Sequence, residues 1–172
     1  MVLADPDAAA LEPLPAPLTK RRRRLPLVSI SIGVVAVLAP QQSSLLGLVS
    51  VLAPVLAGGN TAVLVTSKDR PLPAVTLGEV LATSDVPAGV VNLLTGDATE
   101  IGPWLAEHAD VDAIDLAGAP TPLAMELERS AAGTIKRVLR APAEEPDWTA
   151  DPGLSRLRPF LETKSVWHPM GM

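Results

Sequence analysis

Leu52-Ala53-Pro54-Val55-Leu56-Ala57-Gly58-Gly59-Asn60-Thr61-Ala62-Val63-Leu64-Val65-Thr66 runs from an apolar helix into a β-branched strand. Two glycines and an asparagine separate the halves, and these are the residues that tolerate the left-handed positions after a helix. Upstream, Ser43 to Leu56 reads as a buried helix with serines near its start as caps. Before it, Leu27 to Ile32 and Gly33 to Leu38 read as two short strand segments around Gly33. Thr61 to Thr66 is the next strand.

The same rhythm continues downstream. The pattern predicts a helix over Pro71 to Ser84, with Leu72, Val75, Leu77, Val80 and Leu81 inward. Asp85-Val86-Pro87-Ala88-Gly89 reads as a turn and Val90 to Leu94 as a strand. Ala98 to His108 reads as a helix with Ile101, Trp104 and Leu105 on one face. Val111 to Ala117, Pro122 to Ala132 and Ile135 to Leu139 follow as strand, helix and strand. Strands joined by crossover helices give an α/β fold, a Rossmann-like open parallel sheet with helices on both faces, plus a C-terminal extended strand. Four segments are expected. Residues 1–24 form a disordered Pro/Ala-rich leader closed by the basic run Lys20 to Arg24, and 25–140 form the α/β domain. Residues 141–159 form a Pro-rich linker, and 160–172 a terminal strand.

Composition narrows the function classes. The 172 residues are 48% hydrophobic with 2% aromatic, so the core is built from small aliphatic side chains, which suits buried parallel strands. A net charge of −5 argues against a nucleic-acid binder. Leu25 to Ala39 and Leu45 to Ala57 are apolar, but each is shorter than the roughly 20 residues a spanning helix needs. The basic run starts too late for a signal peptide. Cysteine is absent, which removes disulfides, thiolate metal sites and a thiol nucleophile. Together these fit the cytoplasm and no membrane. His108, with Asp110 and Asp112, has no other His or Cys near it in sequence, so no metal is expected. His168 lies beside Trp167 in the tail and reads as a surface or interface contact. No Gly-x-Ser-x-Gly or Walker-type motif occurs.

Gly33-Val34-Val35-Ala36-Val37-Leu38-Ala39-Pro40, Leu52 through Thr61, and Val86-Pro87-Ala88-Gly89-Val90-Val91-Asn92-Leu93-Leu94-Thr95-Gly96 recur in one order and spacing that resembles the aldehyde dehydrogenase family. The resemblance covers Gly33 to Pro120. The tail Leu161-Glu162-Thr163-Lys164-Ser165-Val166-Trp167 is similar to that family's terminal oligomerisation strand. The resemblance implies a cysteine nucleophile, a carboxylate base and an oxyanion-holding asparagine. It also implies NAD or NADP as coenzyme.

Residue by residue, the carry-over is incomplete. Where the family has Pro-Trp-Asn, this chain has Pro40-Gln41-Gln42, so Gln42 stands at the oxyanion-asparagine position. The coenzyme's ribose-holding Lys-Pro-Ser/Ala-Glu becomes Thr66-Ser67-Lys68-Asp69, which keeps only the acidic position at Asp69. Gly-Phe-Gly-x-x-x-Gly becomes Gly96-Asp97-Ala98-Thr99-Glu100-Ile101-Gly102, where Asp97 and Glu100 would repel a pyrophosphate. Phe-Thr-Gly-Ser-Thr becomes Leu116-Ala117-Gly118-Ala119-Pro120, without the phosphate-binding hydroxyl. Pro40, Gln41, Asp69, Gly96, Gly102 and Gly118 are therefore the degenerate coenzyme positions, and a purely structural role for the glycines is the competing reading. The implied partner is an aldehyde dehydrogenase, in a homo- or hetero-oligomer through residues 160–172. Two other outcomes stay open: residual coenzyme binding, and a decayed gene product.

Overall fold

The computed structural model describes residues 27–151 and 153–165, so the leader and the tail beyond Ser165 lie outside the described residues. Five strands form one parallel sheet: β2 (Val34–Leu38), β3 (Thr61–Val65), β4 (Val91–Leu94), β5 (Ala113–Asp115) and β6 (Arg137–Leu139). Their spatial order is β4-β3-β2-β5-β6. The chain winds outward from β2 to β4, then crosses back to β5 on the other side of β2. A separate two-stranded sheet pairs β1 (Leu27–Ser31) with β7 (Leu161–Ser165).

Alternation along β2 builds two cores. Val35, Val37 and Ala39 face one layer with Leu48, Val51, Leu52 and Val55 of α1 (Leu46–Ala57) and Ala74 of α2 (Leu72–Ala82). Ala36 and Leu38 face the other, with Ala106 of α3 (Ala98–Glu107) and Leu123, Leu127 and Ala131 of α4 (Thr121–Ala132). The doubly covered parallel sheet expected from the sequence is the fold. Among the described residues no helix is long and apolar enough to cross a membrane.

Four local expectations need correction. On α2 Ala74 is buried and Leu77 packs against the same core, while Leu72, Val75 and Val80 are exposed. The helix lies over the edge strand β4, so there is too little sheet beneath it to bury a wide stripe. On α3 the tight inward line is Gly102 and Ala106, and Trp104 points outward at 77% exposure. Leu127 of α4 approaches so closely that only a small residue fits between the helices. At the end of α1, Gly59 alone is left-handed, with φ +76°, while Gly58 stays helical. Ser43 does not start the helix but accepts from Gly47 N at 3.0 Å, one turn ahead of it.

Among the described residues of 141–157 there is no helix or strand, and the 3-10 turn at Arg158–Phe160 follows, as the prolines dictate. They are nonetheless held to the domain. Trp148 packs against the α1-side core and Phe160 is part of it, 1% exposed.

Candidate functional site

Open α/β sheets take ligands at the carboxyl ends of the strands, where the winding direction reverses. Here that point lies between β2 and β5. A crevice of about 310 Å³ opens there, lined by Pro40, Gln41, Gln42, Gly118, Ala119 and Pro120, with Pro142 and Glu145 from the C-terminal segment. Four of the residues singled out from the sequence, Pro40, Gln41, Gln42 and Gly118, therefore meet.

Gln41 is committed to the fold. Its Nε2 donates to Ala39 O at 2.8 Å, and its Oε1 accepts from Lys68 N at 3.0 Å. Its carbonyl accepts from Ser67 Oγ at 2.8 Å, so both ends of the residue tie the β2 exit to the β3 exit. Gln42 is exposed in the crevice, and its carbonyl accepts from Arg70 Nη1 at 2.9 Å. Gly118 has a backbone reason for its identity. A Cβ there would lie 1.9 Å from Ala39 O, because Gly118 N donates to Leu38 O at 2.8 Å and draws the two chains together.

The remaining positions spread out. Asp69 is exposed on the turn after β3. Gly96 follows β4, and a Cβ on it would meet Ile101 Cδ1 at 2.8 Å. Gly102 is buried in α3 between Leu127 and Leu38. None of these three lines the crevice. Asp97 caps α3 by accepting from Thr99 N at 2.9 Å, and it pairs with Lys68 Nζ at 2.6 Å. The Lys68 ammonium and the Thr99 donors hold the Asp97 carboxyl far below its usual range, and Asp97 in turn raises Lys68. The repulsion expected at Asp97 is thus met by a lysine of this chain. Thr66, at the family's lysine position, is 1% exposed, and its hydroxyl has no hydrogen-bond partner.

His108 closes α3. Its Nδ1 accepts from Asp110 N at 3.2 Å, and its carbonyl accepts from the buried Lys136 ammonium. Asp112 accepts from Val34 N at 2.8 Å. These groups serve the amino end of the sheet, opposite the crevice.

Sequence reasoning missed a buried charged pair at the end of β5. Asp115 ends β5 with no exposure, accepts from Ala117 N at 3.0 Å, and pairs with Arg156. Burial pushes its carboxyl up, while the Arg156 guanidinium and the Ala117 N–H pull it back, leaving it above the ordinary value. Arg156 lies 5.7 Å from the centre of the Trp148 ring, and Trp148 Nε1 donates to Glu145 Oε1 at 2.9 Å. The signal was present: a carboxylate inside an apolar strand demands a buried cation.

Comparison with known proteins agrees with this geometry. The model described as "Aldehyde dehydrogenase family" matches residues 12–141, more than half of the chain. The 3-sulfolactaldehyde dehydrogenase of Priestia aryabhattai is 38% identical over 109 residues, which is 63% of this chain and 22% of that protein. The D-glyceraldehyde dehydrogenase (NADP(+)) of Picrophilus torridus is 30% identical over 128 residues, 74% of this chain and 26% of that protein. Among solved structures, a mutant aldehyde dehydrogenase C of Pseudomonas syringae, in complex with NAD+ and octanal, superposes with a TM-score of 0.60. It is 31% identical, with 65% of this chain and 23% of that chain covered. The Bartonella henselae aldehyde dehydrogenase gives a TM-score of 0.61 at 34% identity, with 65% of this chain and 23% of that chain covered. The chain thus spans about a quarter or less of the length of these relatives.

Proposed function

Since the chain belongs to the aldehyde dehydrogenase family, we propose that it is a non-catalytic cytoplasmic relative that acts by assembling with a full-length aldehyde dehydrogenase. The observation that carries this is the chemistry of the crevice. Pro120 has no N–H to offer a phosphate at the start of α4, Ala119 has no hydroxyl, and Gln41 has both amide atoms engaged. Glu145 adds a carboxylate at the rim. Without cysteine, this chain supplies no thiolate for attack on an aldehyde. Two lost phosphate contacts at about 1–3 kcal/mol each weaken a dinucleotide by orders of magnitude.

Assembly is supported by what the fold leaves uncovered. Leu45, Leu46 and Val49 at the start of α1, and Leu72, Val75 and Val80 on α2, are exposed apolar side chains. The tail, expected to add to a partner's sheet edge, continues from β7. The test is co-expression with an aldehyde dehydrogenase from the same organism, followed by co-purification. Phe160 is core, so the truncation that probes the tail starts at Val166. Loss of co-purification on truncation is expected. A monodisperse monomer that ignores the enzyme refutes the proposal.

Residual coenzyme binding is the second reading, favoured by the position of the crevice at the reversal of the sheet. Calorimetric titration with NAD and NADP separates the two. No heat at millimolar coenzyme is expected from the intact chain.

A further inference from the structure

Three interactions run in series from the buried end of β5 to the mouth of the crevice. Asp115 pairs with Arg156, whose guanidinium stacks over Trp148. The Trp148 indole N–H is bonded to Glu145, and Glu145 lines the crevice together with Pro142. The arrangement fixes a proline-containing segment that has no ladder hydrogen bonds of its own. Its position therefore depends on these side chains. Trp148 is half-buried and rests on the α1-side core, so the segment has a firm seat on one side and a ligand-sized opening on the other.

We propose that Pro142 and Glu145 form an autoinhibitory rim of the crevice, that Glu145 is held there through Trp148 by the Arg156–Asp115 pair, and that this rim excludes phosphate-bearing nucleotides while seated. Exclusion is both steric, through Pro142, and electrostatic, through the Glu145 carboxylate. Releasing the pin frees the rim and removes the anion from the mouth. The inference rests on the proposed lack of coenzyme binding by the resting chain, and it supplies a cause for part of that lack.

The test uses the full chain with Asp115→Asn and Arg156→Met together, which leaves no uncompensated charge in the core. Trp148→Phe serves as a milder variant that keeps the ring and deletes the indole donor. Limited proteolysis after Glu144 by a glutamyl endopeptidase is read beside calorimetry with NAD+ and with ADP. Both variants should retain the wild-type circular dichroism. Cleavage there should quicken at least about tenfold, and nucleotide affinity should rise by a similar factor, to heat measurable at millimolar ligand. Unchanged cleavage overturns the pin. Faster cleavage with no heat from nucleotide overturns the autoinhibition and leaves the non-catalytic reading intact. Equal, tight binding by wild type and variants overturns both, and enzyme co-purification then reports separately on assembly.

Discussion

Gly118→Ala separates the two explanations for a family glycine. If the position is kept for a nucleotide, a methyl group should spare stability. The structure requires the opposite. The added Cβ falls 1.9 Å from Ala39 O, 2.3 Å from Ala39 C and 2.8 Å from Pro40 N, all backbone. Relief needs a retreat of more than about 1 Å by one of two chains held by the Gly118 N to Leu38 O bond. Overpacking of this kind costs about 1–3 kcal/mol, and losing the bond adds about 0.5–1.5 kcal/mol. With a urea slope of about 2–3 kcal/mol/M for a domain of this size, the midpoint should fall by roughly 1–2 M. Gly89→Ala is the reference, because its added Cβ meets nothing within 4 Å and only its φ of +84° opposes a side chain. That costs about 1–2 kcal/mol. If Gly118→Ala shifts the urea midpoint no further than Gly89→Ala, the close approach of β2 and the β5 exit is not what fixes this glycine.

Other perturbations are as specific. Ile135 has φ +58° and is 93% exposed, so Ile135→Gly should stabilise by about 1 kcal/mol and raise Tm by roughly 2–4 °C in a thermal melt. Arg156→Met leaves the Asp115 carboxylate buried and alone, at a cost of about 3–5 kcal/mol by urea unfolding at pH 7, while adding Asp115→Asn should recover much of it. In Arg156→Met the Asp115 carboxyl loses its cation and titrates higher still. A raised carboxyl favours folding when protonated and opposes it once pH passes its folded value, so the defect should shrink as pH falls toward 4. Asp97 behaves in the reverse sense. Its depressed carboxyl contributes stability above its unfolded value, near pH 4, which is lost as pH falls through the folded value. Asp97→Asn should flatten that acid limb and its salt dependence.

The sheet was legible because its strands are short apolar runs between strong punctuation. Gly59 and the apolar stretch on either side of it define a helix exit and a strand without reference to anything distant. The faces of α2 and α3 were not legible. Periodicity marks Leu72, Val75 and Val80 as apolar, but only the position of α2 over an edge strand decides that they stay exposed. The crevice was half legible. Pro40, Gln41, Gln42 and Gly118 could be found by family spacing, and the structure brings them together. That Gln41 is tied to Ala39 and Lys68 follows from tertiary contacts no local pattern encodes. Asp115 lies 41 residues before its partner Arg156, and Trp148 stands on the far side of the same Pro-rich stretch, so prolines hid the connection.

Asn60 joins four places in the chain. It accepts from Ile32 N and Gly33 N, and it donates to Val55 O and to Phe160 O, the last at 2.9 Å across 100 residues. During synthesis, the first three partners leave the ribosome almost together with Asn60, but the fourth follows a hundred codons later. At about 5–20 residues per second that is a wait of roughly 5–20 s. Through that interval the nascent domain holds an open slot where Phe160 will insert, with the α1-side core unsealed. The last-made segment is therefore the one that finishes the first-made core, and a chaperone bound to the nascent chain would find its target on the α1 face.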